Sequence, residues 1–86
     1  MSVKDYIEKN KEKFLSELFQ LLKIQSVSAD SKFKEEVDKA ANWLVGEFNK
    51  LELDNVEKIQ TKGHPIVYAE KILDKTFPTI LVYGHY

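Results

Sequence analysis

Eighty-six residues fit one small domain at most, since domains typically run to roughly 100–150 residues. Hydrophobic residues make up 43% and charged ones 31%, which excludes a disordered tail and calls for a packed core. The formal charge of −1, with 13 basic residues that are all lysine, gives no net pull toward nucleic acid or anionic lipid and no arginine fork for phosphate.

The first element is predicted as a helix over about 3–23. Ser2, with Asp5 three positions on, forms a capping-box start. At 100° per residue Val3, Ile7, Phe14, Leu15, Leu18, Phe19, Leu21 and Leu22 share an arc of roughly 160°. So wide a stripe suits a helix packed deeply. Its opposite face mixes Lys9 and Lys13 with Glu17 and Gln20, where a lipid surface would favour lysine alone.

Residues 24–31 break the pattern, and Ser26, Ser28, Asp30 and Ser31 supply turn and N-cap chemistry. A second helix is predicted over about 32–50. Phe33, Val37, Ala40, Ala41, Leu44, Val45, Phe48 and Leu51 form its apolar face, with Trp43 at the flank as a packing residue. Glu35, Glu36 and Asp38 near its start and Lys50 near its end suit the helix dipole.

After Asp54-Asn55 the period changes to that of strands. A weak strand is predicted over about 56–61, then a turn at Lys62-Gly63-His64-Pro65. Stronger strands follow over about 65–71 and 78–84, joined through the polar stretch Leu73-Asp74-Lys75-Thr76 as an antiparallel hairpin. Ile80-Leu81-Val82-Tyr83 and Ile66-Val67-Tyr68-Ala69 are apolar on both alternating faces, the mark of strands covered on both sides. Two helices cover one face of such a sheet and leave nothing for the other. The expectation is an α/β chain that is the N-terminal part of a larger mixed-sheet domain, with 1–86 as its opening portion.

Little chemistry is legible from residue types alone. With no cysteine there is no disulfide, thiolate nucleophile or sulfur-bound metal. His64 and His85 are the only side chains whose ordinary titration lies near neutrality. No glycine-rich phosphate loop, nucleophile elbow or helical histidine pair is present. A local site built from His64 with Glu70 or Asp74 is the weaker option, because His64 sits in a turn before Pro65.

The run Pro78-Thr79-Ile80-Leu81-Val82-Tyr83-Gly84-His85-Tyr86 resembles the strand that delivers the first metal ligand in co-catalytic dizinc exopeptidases of metallopeptidase family twenty, clan MH. Carnosine dipeptidase, aminoacylase, acetylornithine deacetylase and succinyl-diaminopimelate desuccinylase belong to this family. Their motif is histidine, any residue, aspartate, at the end of a buried strand after a glycine. Gly84, His85 and Tyr86 match its first part, and tyrosine at the middle position resembles the dipeptidase branch. Upstream, Ser26-Val27-Ser28-Ala29-Asp30, Ala40-Ala41-Asn42-Trp43-Leu44 and the run from Thr61 to Glu70 resemble successive family segments, though Gln25 replaces a usual proline.

The resemblance implies a zinc metallopeptidase that hydrolyses dipeptides or N-acyl amino acids in the cytoplasm. It implies two zinc ions in the intact enzyme, roughly 3.5–4 Å apart, with His85 as a ligand. The bridging aspartate, the glutamate base and the other ligands correspond to positions after Tyr86. The 86-residue chain is therefore expected to be inactive alone, to bind no zinc tightly and to self-associate. Its expected partner is the remainder of its own chain, with no nucleic acid and no membrane. The alternative is a complete small α/β interaction module, dimeric and without catalysis.

Overall fold

The computed structural model describes residues 2–86. Helix α1 spans Val3–Leu22 and α2 spans Lys34–Asn49, entered through a 3-10 turn at Ser31–Phe33. Strands β1, Asn55–Ile59, and β2, Ile66–Glu70, follow as an antiparallel pair. The result is two helices followed by a hairpin, an α/β arrangement.

Each start is written locally. The Asp5 N–H donates to Ser2 Oγ at 3.1 Å, and the Ser2 N–H donates to Asp5 Oδ2 at 3.3 Å, closing both halves of the capping box. The 3-10 turn is capped by Asp30, whose Oδ1 accepts from the Lys32 N–H at 3.0 Å. Glu35 and Glu36 lie in the first turn of α2, at the positive end of its dipole.

The core sits between α2 and the hairpin. Val37, Ala40 and Ala41 are its fully buried side chains. Two adjacent alanines let the strands approach the helix closely, and the Val37, Ala41, Leu44, Phe48 stripe runs along that contact. The register pairs Val56 with Ala69 and Lys58 with Val67 on the face toward α2. Glu57 with Tyr68 and Ile59 with Ile66 alternate onto the outer face, where Ile59, Ile66 and Tyr68 remain exposed. One face of the hairpin is covered and the other is left bare, as the sequence leads one to expect, but α2 alone covers it, where two helices are expected to.

Three further expectations are corrected. The hairpin joins β1 to β2 across the Lys62-Gly63-His64-Pro65 turn, not β2 to a later strand. No strand forms over residues 78–84, and Ile80, Leu81, Val82 and Tyr83 are each more than 80% exposed. Asp74 explains the path: its Oδ1 accepts from the Thr76 N–H at 2.9 Å and the Thr76 hydroxyl at 2.8 Å, and its carbonyl from the Phe77 N–H at 3.0 Å. This turn separates residues 78–84 from β2, and they pair with neither outer edge of the two-stranded sheet.

The third correction concerns α1, which buries no side chain despite its wide stripe. Its inter-element packing is slight, since the contacts of the fold concentrate among α2, β1 and β2. The radius of gyration shows the consequence. It is 15.3 Å, against about 12 Å expected for a compact chain of this length.

Candidate metal centre at His85

Gly84-His85-Tyr86 ends the irregular segment after β2. The His85 side chain is exposed, and its ring meets that of Tyr83 edge-on, with centroids 5.1 Å apart and planes at 80°. Tyr86 turns back onto the fold. Its hydroxyl donates to the carbonyl of Pro65, and burial, followed by the charge of Asp38, raises its pKa above the ordinary value. The terminal segment is therefore tied to the hairpin turn one residue beyond His85.

The second histidine is engaged elsewhere. His64 Nε2 lies 3.0 Å from the Ser28 carbonyl, bridging the loop before α2 and the hairpin turn. Glu70 Oε2 accepts from the Tyr68 hydroxyl at 2.7 Å, and Asp74 is held by Thr76. Each of His64, Glu70 and Asp74 is engaged by a different partner, and among the described residues no metal-holding group includes them. A hollow of about 440 Å³ beside the turn is lined by Asp38, Lys62, His64 and Pro65 among others, but not by His85.

Among the described residues no group of three or more histidine, aspartate or glutamate side chains forms a metal-holding cluster. A catalytic zinc takes about three protein ligands, so the residues present do not fit a metal by themselves. His85 is one ligand without companions.

Two contacts that shape this region were not legible from residue types. Lys58 Nζ sits 2.6 Å from Asp38 Oδ1 and donates to Asn42 Oδ1 at 2.9 Å, fastening β1 to α2. Asp54 Oδ2 accepts from the Ile72 N–H at 2.7 Å, with Lys71 Nζ 3.5 Å from Oδ1. These hydrogen bonds, Ile72 first and then Lys71, hold the Asp54 carboxyl below its ordinary pKa. Both links join residues more than 15 positions apart, and no local motif announces them.

Comparison with known proteins gives a direction. The chain is 33% identical over 94 aligned positions to a Cys-Gly metallodipeptidase of Candida albicans, and 32% over 91 to one of Schizosaccharomyces pombe. Each alignment takes in 95% of this chain and 19% of the relative, so the chain spans about a fifth of the length of the curated relatives it matches. No family model matches, and no solved structure matches. The chain is thus similar to a stretch of metallodipeptidases, enzymes whose names record metal use and dipeptide hydrolysis. Among the described residues no helix is long and apolar enough to cross a membrane.

Proposed function

We propose that this chain is the opening section of a metallodipeptidase-like catalytic domain, in the dipeptidase branch of metallopeptidase family twenty. The observation that carries the reading is similarity extending over 95% of the chain to two Cys-Gly metallodipeptidases. The uncovered stripe of α1 and the bare outer face of the hairpin support it, because both suit elements that pack against further structure.

In this reading His85 is a zinc ligand, brought to the metal by an apolar run and held from behind by Tyr86. The metal's remaining ligands, the catalytic groups and the substrate contacts come from the rest of the domain, which is the chain's principal partner. The substrates are dipeptides or N-acyl amino acids, and the working compartment is the cytoplasm. The chain's own contribution is structural: α2 and the hairpin form the platform, and the segment from Ile72 to Tyr86 carries the histidine.

A chimera tests this directly. The segment of the Candida albicans enzyme that aligns with this chain is replaced by residues 1–86, and Cys-Gly hydrolysis is assayed with and without His85→Ala. The reading predicts an active chimera that loses at least about a hundredfold in activity, together with bound metal, on His85→Ala. A folded, active chimera indifferent to His85→Ala contradicts the role of His85. A chimera that folds with no activity contradicts the family reading.

A further inference from the structure

The segment that carries His85 is pinned at its two ends. Asp54 Oδ2 accepts from the Ile72 N–H at 2.7 Å and fastens its beginning. From Lys71 through His85 every residue is exposed, whereas Tyr86 is half-buried. Among the described residues, the one hydrogen bond that joins residues 78–86 to the rest of the fold runs from the Tyr86 hydroxyl to the Pro65 carbonyl. The His85 ring packs edge-on against Tyr83, but Tyr83 is itself 81% exposed, so that contact travels with the segment and fixes nothing.

We propose that Tyr86 is a positioning residue, whose hydroxyl clamps the end of this segment to the hairpin turn and so sets where the backbone of His85 lies. The clamp is a property of this chain alone; its consequence for metal binding rests on the reading of His85 as a ligand. Its acceptor is braced on both sides. Pro65 follows His64, whose Nε2 lies 3.0 Å from the Ser28 carbonyl, and precedes the first ladder pair of the hairpin, Ile66 with Ile59. Its donor is equally suited. Burial, and then the charge of Asp38, raises the phenol above its ordinary pKa, so it keeps its proton to donate through neutral pH.

The placement matters because a ligating histidine works only when held to the metal's geometry. Groups that orient a ligand change metal affinity by about ten- to a hundredfold when removed. Apolar packing of the ring alone would make the hydroxyl dispensable, and Tyr86→Phe separates the two, since it keeps the ring and removes the donor.

Two measurements test the proposal. In the 86-residue chain, the 15N heteronuclear NOE of the His85 amide should exceed that of Ile80 and fall to it in Tyr86→Phe, with α2 and the hairpin unchanged. An amide of His85 as mobile as that of Ile80 in the parent, or unmoved by Tyr86→Phe, overturns the clamp. In the chimera with the Candida albicans enzyme, Tyr86→Phe should weaken zinc affinity, read by chelator competition, by about tenfold. It should also lower kcat at an unchanged KM and an unchanged unfolding transition. Loss of metal on His85→Ala with none on Tyr86→Phe overturns the positioning role and leaves the metal reading intact. Indifference to both variants overturns both.

Discussion

Lys58 on β1 places its ammonium 2.6 Å from Asp38 on α2, with only 21% of the lysine side chain exposed. That pair, with the further bond to Asn42, crosses the boundary between helix and hairpin beside a core whose fully buried members are Val37, Ala40 and Ala41. In so small a core one cross-element tie matters. Lys58→Ala should lower stability by about 0.5–1 kcal/mol, and Lys58→Met should recover part of it by keeping the packed stem. Urea unfolding followed through Trp43 fluorescence measures both.

Glu52 adopts φ 54°, in the left-handed region, in the turn between α2 and β1. A side chain there is strained, and glycine is not. Glu52→Gly should raise the unfolding free energy by about 0.5 kcal/mol, because relief of strain exceeds the added freedom of the unfolded chain. Glu52→Val should lower it. Thermal melts of the two variants against the parent separate these outcomes.

Asp54 fastens the chain where it leaves β2, through the Ile72 N–H at 2.7 Å. Its folded pKa lies below the ordinary 3.8, chiefly because of that bond and then Lys71. The sign follows from linkage: the ionised form is favoured in the fold, so the link is intact above pH 3.8 and is lost as pH falls through the depressed value. The Ile72 amide should therefore lose its protection in acid. Asp54→Asn should show reduced protection already at neutral pH, in amide exchange measured by NMR.

His85 has no companion ligands among the described residues. Calorimetric titration of the 86-residue chain with zinc should give no submicromolar site, and His85→Ala should change the weak response by less than about threefold. A tight site abolished by His85→Ala or His64→Ala would show that the two histidines converge in solution.

The local features were readable in advance, and the long-range ones were not. Ser2 and Asp5 closed their capping box because both partners lie within one helical turn. The α2 stripe, its acidic first turn and the Lys62 to Pro65 turn likewise follow from near neighbours. The α1 stripe is equally clear in the sequence, yet it buries no side chain: periodicity reveals an apolar face and says nothing of what lies against it. The same limit governs residues 78–84, whose composition suits a strand but which pair with neither edge of the two-stranded sheet. His85 drew attention through its motif, whereas the contacts from His64 to Ser28 and from Tyr86 to Pro65 span 36 and 21 positions and leave no local trace.

The central claim, that this chain opens a metallodipeptidase-like domain in which His85 binds metal, is tested most directly by reading the coding DNA beyond the codon for Tyr86. The account predicts an aspartate codon in the next position, completing histidine, tyrosine, aspartate, and then a long open frame supplying the remaining ligands. A stop codon directly after Tyr86 would contradict it, leaving His85 without the metal site that its motif implies.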